Sequence, residues 1–287
     1  MEVWQAIILG IVQGLTEFLP ISSSGHLIIF PWLLDWESGG LAFDTSLHLG
    51  TLTAVLVYFW RDIWSMIRVI PYALSKPLPI IKGESGDTER DHFARLGLLI
   101  AIASVPGAIV GALFMDEIEA FFHTEENSDR AIAVIATMLI VVGLAMLIAE
   151  KVGSHRHDIR RMSWLDAAWV GVGQALAALI PGTSRSGATL TAGLFRNLKR
   201  GEAARFSFLA GIPLIFGAGT LGLVDTIREG MTSAEAMNFL AGGIAAALVG
   251  FLAIWGMLRF LQRQSTHVFV YYRIAFGLVL FGLLIWR

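Results

Sequence analysis

The sequence contains no cysteine, so it has neither a disulfide framework nor a thiolate nucleophile nor a sulfur ligand for a metal. Charge is also scarce, since only 15% of the 287 residues are Asp, Glu, Lys or Arg, against about 25% in a typical soluble domain. The formal net charge of −2 argues against nucleic acid as a partner. No long polar or Pro/Gly/Ser-rich linker divides the chain, which favours one domain over two.

Apolar residues take the place of the missing charge. They make up 55% of the chain, and the mean hydropathy is +0.68. A membrane-spanning helix needs about 17–25 mostly apolar residues in succession. The stretches that meet this requirement are residues 43–60, 93–115, 131–149, 206–224, 239–260 and 268–286. The sequence therefore predicts an all-α integral membrane protein with six transmembrane helices, forming a single membrane domain over residues 1–287.

Two further apolar stretches, residues 3–34 and 164–195, are each interrupted by a polar turn. The first turn reads Pro-Ile-Ser-Ser-Ser-Gly-His at 20–26, and the second reads Pro-Gly-Thr-Ser-Arg-Ser-Gly at 181–187. Irregular backbone is tolerated at membrane depth only where protein or water satisfies its polar groups. We therefore expect two re-entrant helical hairpins whose tips face a cavity.

The two interrupted stretches resemble each other. Gly10, Gln13, Leu15 and Pro20 have identical residues 161 positions further along, as from 13 to 174. This predicts two repeats, at about residues 1–150 and 164–287, each with one hairpin and three spanning helices. An odd number of crossings inverts the second repeat relative to the first.

The distribution of Lys and Arg predicts the topology. Basic residues collect in cytoplasmic loops, and here they cluster in segments 61–90, 151–161, 196–205 and 259–263. Segments 116–130 and 225–235 hold one basic residue each. Both termini are then outside, the hairpins enter from opposite faces, and their tips meet near the midplane.

Three ionisable residues, Glu17, His26 and Arg185, lie in or beside the interrupted segments. Each costs about 2.5–3.5 kcal/mol to insert, so each needs a reason to be there. A Glu17–Arg185 ion pair that only fixes packing is one interpretation. It does not explain the histidine or the hydroxyls at both tips, which belong to Ser22, Ser23, Ser24, Thr183, Ser184 and Ser186.

A phosphate site explains these residues together. The helix that begins after each tip offers free N–H groups and a partial positive charge to an anion. Gln13 and Glu17 share a helix face, and Glu17 suits a hard divalent cation that bridges phosphates. Arg185 can stabilise charge on phosphoryl oxygens. His26 can activate a serine or water, or protonate a leaving group.

Competing functions have weaker support. The sequence has no G-x-x-x-x-G-K-[ST], G-x-S-x-G or H-E-x-x-H motif. A transporter or flippase of a prenyl phosphate is the main alternative, because inverted repeats with broken helices are a transporter architecture.

Asp44 and His48 share a face of the first span; we expect wetted interface residues there, and lining of the site entrance is the alternative.

Residues 13–26 resemble the [EQ]-x-x-x-E plus serine-rich motif of bacterial undecaprenyl-diphosphate phosphatases, and residues 181–187 resemble their P-G-x-S-R-S-G motif. The likeness extends over the whole chain in length, repeat order and topology. It implies hydrolysis of undecaprenyl diphosphate to undecaprenyl phosphate and phosphate, which recycles the carrier for peptidoglycan synthesis and confers bacitracin resistance. It also implies a multi-pass protein of the bacterial plasma membrane, a site facing the extracytoplasmic side, and dependence on a divalent metal, Mg²⁺ or Ca²⁺.

The resemblance also assigns residues by motif position. The residues tied to activity are Glu17, Ser23, His26 and Arg185. Their neighbours in the motifs are Ser22, Ser184 and Ser186, which together with Ser24, Thr183 and Gly187 of the same tips are the expected substrate-binding residues. Glu17 and Gln13 are the expected metal ligands, although Gln13 stands where many members carry glutamate. The sequence leaves open whether Ser23, His26 or a water is the nucleophile, and whether the chain forms a homodimer.

Overall fold

A computed structural model describes residues 1–37, 39–122 and 128–286 of the protein. Within these ranges the regular secondary structure is helical, and a 3₁₀ helix at Ile159–Arg161 accompanies the α-helices. The α-helices are α1 (Val3–Phe18), α2 (Ser23–Leu34), α3 (Gly40–Tyr58), α4 (Trp60–Arg68), α5 (Ile70–Ser75), α6 (Pro77–Lys82), α7 (Glu89–Phe122), α8 (Ser128–Val152), α9 (Trp164–Leu179), α10 (Arg185–Phe195), α11 (Arg200–Glu229), α12 (Ser233–Leu261) and α13 (His267–Trp286).

Five of the described helices are long and apolar enough to cross a membrane, namely α7, α8, α11, α12 and α13. They contain the predicted spans 93–115, 131–149, 206–224, 239–260 and 268–286. The remaining predicted span, residues 43–60, corresponds to α3. The all-helical, multi-pass membrane class predicted from composition is therefore confirmed.

Both interrupted stretches fold as two helices around a turn, and proline explains where the first helix ends. The residue before a proline is driven out of the α region into extended conformation. Leu19 and Ile180 accordingly have ψ angles of 138° and 102°, immediately before Pro20 and Pro181. As a result α1 and α9 end at equivalent points, each of them 16 residues long.

Small residues allow the helices of the interrupted stretches to pack closely on their neighbours. Helix α1 packs along α12, and α9 packs along α7. A Cβ atom at Gly10 would lie 2.3 Å from the carbonyl oxygen of Gly242, so only glycine permits this contact. A Cβ atom at Gly171 would lie 2.9 Å from the Ala103 carbonyl oxygen. Close backbone approach at small residues is a common mode of helix association in membranes.

Several of the longer helices also pack against one another around the two turns. Helix α3 packs against both α11 and α12, and α8 packs against α13. The Phe18 ring at the end of α1 meets the Phe208 ring of α11 edge to face, with centroids 5.3 Å apart. This contact, inside the largest buried apolar cluster, fixes the end of α1 beside α11. Glu17, the residue before Phe18, is buried as well.

Candidate active site

The two turns have the same local structure at their tips. Ser22 and Ser184 each adopt a positive φ, 78° and 70°, and each caps the helix that follows. The Ser22 hydroxyl accepts from the Gly25 N–H at 3.3 Å, and the Ser184 hydroxyl accepts from the Gly187 N–H at 3.1 Å. Side-chain capping of this kind is the expected use of serine at a helix start.

A second hydroxyl lies beside each cap. The Oγ atoms of Ser22 and Ser24 are 3.4 Å apart, and those of Ser184 and Ser186 are 3.2 Å apart. Each tip thus combines a helix N-terminus with a pair of hydroxyl groups. Thr183 is buried as well, and its Oγ1 has no hydrogen-bond partner among the described residues.

The two tips contact each other directly. Arg185 Nη2, at the start of α10, donates to Glu17 Oε1 at 2.8 Å across 168 positions of sequence. Ser186 Oγ donates to the carbonyl oxygen of Leu19 at 3.1 Å. Residues from both interrupted stretches therefore form one cluster.

Glu17 is the centre of that cluster. Its side chain is only 4% exposed. While Oε1 accepts from Arg185, Oε2 accepts from Ser23 Oγ at 2.7 Å and from Gln13 Nε2 at 3.1 Å. The ion pair with Arg185 is thus present, but it is one contact of several. The carboxylate also fixes the Ser23 hydroxyl.

Arg185 keeps donors free after pairing with Glu17. Its Nη1 donates to the Ser207 carbonyl oxygen at 3.2 Å. A guanidinium has five N–H donors, and in the described part of the chain only these two groups accept from it. A Cβ atom at Gly211 would lie 1.6 Å from Nη1, so the absence of a side chain there makes room for the guanidinium. The remaining N–H groups can donate hydrogen bonds to an anion.

His26 is held from both sides. Its Nδ1 lies 2.6 Å from the Ser22 carbonyl oxygen, which can only accept, so Nδ1 carries a proton. In the neutral ring, Nε2 then accepts from the Tyr272 hydroxyl at 2.7 Å. The ring also stacks on Phe276, with centroids 4.9 Å apart. Both ring nitrogens therefore have partners within the protein.

The sequence matches the family described as "Bacitracin resistance protein BacA" over residues 6–279. This chain belongs to that family. It is 48% identical over 280 residues to an undecaprenyl-diphosphatase of Thermomicrobium roseum, covering 98% of this chain and 97% of the relative. It is 44% identical to one of Rubrobacter xylanophilus, covering 99% of each chain, and 42% identical to one of Caldicellulosiruptor bescii, covering 100% and 99%.

In this BacA-family protein, the motif residues depend on an arginine that the motifs do not contain. Arg273 of α13 is fully buried, and no carboxylate among the described residues pairs with it. Its guanidinium donates to the carbonyl oxygens of Leu139, Pro20, Met138, Gly182 and Thr183, at 3.0 to 3.2 Å. Pro20 belongs to one tip, and Gly182 and Thr183 belong to the other, so Arg273 ties the tips together.

The sequence did carry a signal for Arg273. It is the one charged residue in the predicted span 268–286. An ionisable residue in the middle of a span is a functional-site hypothesis by default. Sequence reasoning that began from the two motifs missed it.

The carboxylate of Glu17 and the amide of Gln13 are suitable ligands for a divalent cation. Gln13 Nε2 must be the atom that donates to Glu17, because a carboxylate can only accept. Gln13 Oε1 is thereby left as a buried acceptor without a partner among the described residues. Carboxylate and amide oxygens are the donors that hard cations prefer. The described residues form no cluster of three His, Asp or Glu side chains, so substrate oxygens would have to complete the shell.

Proposed function

We propose that the protein hydrolyses undecaprenyl diphosphate to undecaprenyl phosphate and inorganic phosphate, and thereby confers resistance to bacitracin. The observation that carries the proposal is the contact between Glu17 and Arg185, which joins two serine-capped helix N-termini into one polar cluster. Names of relatives at 42–48% identity over nearly the full chain support the same reaction. The bond broken is the phosphoanhydride of a lipid diphosphate.

The substrate diphosphate would bind between the tips. The N-termini of α2 and α10 supply backbone N–H groups and favour negative charge. The unengaged N–H groups of Arg185 would hold phosphoryl oxygens, with the hydroxyl groups of both tips around them. These hydroxyls belong to Ser22, Ser24, Thr183, Ser184 and Ser186.

For the chemical step we assign Ser23 as the nucleophile. Its hydroxyl already donates to Glu17 Oε2 at 2.7 Å. As Ser23 Oγ attacks the terminal phosphorus, Glu17 takes its proton and the bond to the undecaprenyl phosphate oxygen breaks. Water then cleaves the phosphoserine ester and releases phosphate, returning the proton to Ser23. Arg185 offsets the charge that develops on the phosphoryl oxygens.

We assign His26 to positioning. Both its ring nitrogens are engaged, and its Nδ1–H holds the Ser22 carbonyl, one residue before the nucleophile. A divalent metal, if bound, would be held by Glu17 and the Gln13 amide oxygen together with substrate phosphates. Such a cation neutralises phosphate charge when bound.

The direct test is phosphate release from undecaprenyl diphosphate by the purified full chain, with and without a chelator. We expect one phosphate per lipid and a lipid monophosphate product. Chelation should reduce the rate, and Ser23→Ala should abolish turnover. Transport of a prenyl phosphate by reconstituted protein without phosphate release would favour the flippase alternative.

Tyr272 offers a test of the positioning role of His26. Tyr272→Phe removes the hydroxyl that donates to His26 Nε2. A hydrogen bond contributes about 1 kcal/mol net, so we expect kcat to fall about fivefold with little change in KM. Tyr271→Phe is the matched control, because the Tyr271 ring is exposed and stacks on His267 instead. Equal kcat in both variants would remove Tyr272 from the site.

We also propose six spans and two re-entrant hairpins in an inverted repeat, placed in the bacterial plasma membrane with the site open to the extracytoplasmic side. Two observations support it. The packing of α1 on α12 has a counterpart in α9 on α7, which is the exchange expected of inverted halves. The serine caps and positive φ angles of the tips also correspond.

Cysteine labelling tests the topology, since the chain has no native thiol. A single cysteine at Ser233 should react with an impermeant reagent on intact cells. Single cysteines at Ser85 and Ser154 should react only after permeabilisation, because their segments are rich in Lys and Arg. Labelling of Ser154→Cys on intact cells would contradict the inverted arrangement.

A further inference from the structure

His48 of α3 lies beside the central carboxylate. Its Nε2 is 3.6 Å from Glu17 Oε2, and its side chain is 31% exposed. Its Nδ1 lies 2.7 Å from the Asp44 carbonyl oxygen. Because a carbonyl can only accept, Nδ1 carries a proton, and in the neutral ring Nε2 is the nitrogen with a free lone pair.

This arrangement is the one that metal-binding histidines adopt. Such histidines commonly donate the second ring N–H to a backbone carbonyl, which fixes the tautomer and the direction of the lone pair. The separation of 3.6 Å between His48 Nε2 and Glu17 Oε2 exceeds a hydrogen bond. It suits two ligands of one cation whose bonds are each about 2.0–2.2 Å long.

Gln13 supplies a third ligand group for a metal in the same cluster. Gln13 Oε1 is a buried acceptor with no partner among the described residues, and the other end of that amide contacts Glu17. Gln13 is fully buried. The Glu17 carboxylate thus has the Gln13 amide and the His48 imidazole as neighbours. His26 does not belong to this set, because its ring nitrogens are engaged by Ser22 and Tyr272.

We propose that His48 Nε2 is a direct ligand of the divalent metal, together with Glu17 and the Gln13 amide oxygen. The inference rests on the proposed function, which supplies the metal and the phosphate oxygens that complete its shell. Imidazole favours transition metals over Mg²⁺ and Ca²⁺, whereas carboxylate and amide oxygens accept Mg²⁺, Ca²⁺ and Mn²⁺. A mixed set of this kind binds Mn²⁺ more tightly than Mg²⁺ or Ca²⁺.

The test uses Mn²⁺ as the probe and needs no turnover. The full chain, purified in detergent and stripped with a chelator, is titrated with MnCl₂ while free Mn²⁺ is followed by electron paramagnetic resonance. Pulsed measurements then look for the ¹⁴N modulation of a directly bound imidazole. We expect that modulation in the wild type. We expect His48→Gln to lose it and to bind Mn²⁺ at least about tenfold more weakly, with little change for Mg²⁺.

His267→Gln is the matched control, because the His267 ring contacts Ser265 and stacks on Tyr271 away from Glu17. It should keep both the modulation and the Mn²⁺ affinity. Wild-type protein labelled with ¹⁵N-histidine should exchange the ¹⁴N signal for a ¹⁵N signal, which tests histidine ligation in the unsubstituted chain; an unchanged ¹⁴N signal would overturn the role of His48.

Three outcomes separate this inference from the proposed function. Bound Mn²⁺ without imidazole modulation in the wild type would overturn the role of His48, even in a chain that releases phosphate. Modulation that persists in a folded His48→Gln would overturn it as well. An imidazole modulation that is lost in a folded His48→Gln, in a chain whose wild type has no phosphatase activity, would support His48 as the ligand and reject the proposed reaction alone.

Discussion

Arg273→Met is expected to destabilise the folded protein by about 3 kcal/mol or more. The methionine side chain is apolar and offers no donors to the five carbonyl oxygens that Arg273 now holds. The carbonyl oxygens of Pro20, Gly182 and Thr183 lie in turns. Each buried carbonyl oxygen that is left without a donor destabilises the folded protein by about 1–3 kcal/mol. Thermal unfolding of the purified chain in detergent measures the loss. Turnover should fall in parallel, because the tips lose their common support.

Two variants make this result specific. Arg273→Lys keeps the charge, but a compact ammonium cannot reach acceptors spread around a planar guanidinium, so its stability should be intermediate. Arg259→Met, in the neighbouring helix α12, removes an exposed arginine that lies over the Trp255 ring, and should unfold like the wild type. An Arg273→Met chain that unfolds at the wild-type temperature would show that the tips hold together without it.

The positions of both turns followed from local rules. A proline ends the helix before it, and a serine caps the helix after it, so Pro20 and Pro181 marked where α1 and α9 end. The breaks were therefore predictable from short stretches of sequence. A Glu17–Arg185 ion pair was one interpretation of the sequence, because ionisable groups at membrane depth pair with one another, and the structure contains that pair.

Arg273 was not predictable in the same way. Its partners are backbone carbonyls, and every residue has a carbonyl, so no side-chain pattern marks the three segments that it joins. What decides its role is the packing of α13 against α8 and the meeting of the two tips. Sequence can mark a buried arginine as unusual, but the groups that receive its hydrogen bonds depend on tertiary structure.

The contacts of His26 and His48 were likewise not predictable from the sequence alone. From sequence, His26 could activate a serine or water, or protonate a leaving group; in the structure, Ser22 and Tyr272 contact its ring nitrogens. His48 was expected among wetted interface residues, with lining of the site entrance as the alternative, and the structure places its Nε2 3.6 Å from Glu17 Oε2. Helical spacing fixes which residues share a face of α3. It does not fix which neighbouring helix that face meets.

The segment between α3 and α7 was predicted only as a basic cytoplasmic loop. It folds into the short helices α4, α5 and α6, with prolines at the first turns of α5 and α6. On α4, Arg68 lies over the Trp64 ring, 4.9 Å from its centroid. Runs of six to nine residues are too short for periodicity to separate a helix from a loop.

Arg185→Lys is expected to reduce kcat at least about 100-fold while the protein folds normally. Arg185 donates to Glu17 and to the Ser207 carbonyl and keeps other N–H groups for phosphoryl oxygens. A lysine ammonium can replace the contact with Glu17, but it lacks the planar fork that grips two oxygens at once. Loss of one such donor in the transition state costs about 3 kcal/mol, which corresponds to that factor. Steady-state phosphate release and thermal unfolding measure the two effects separately.

Gly211 permits the same test without changing the arginine. A Cβ atom there would lie 1.6 Å from Arg185 Nη1, so Gly211→Ala must displace the guanidinium. Gly217→Ala, on the same helix, meets nothing within 4 Å and is the matched control. We expect Gly211→Ala to lose turnover as Arg185→Lys does, and Gly217→Ala to retain it. Wild-type turnover in both Arg185→Lys and Gly211→Ala would reduce Arg185 to the structural partner of Glu17 and leave phosphoryl binding to the helix N-termini.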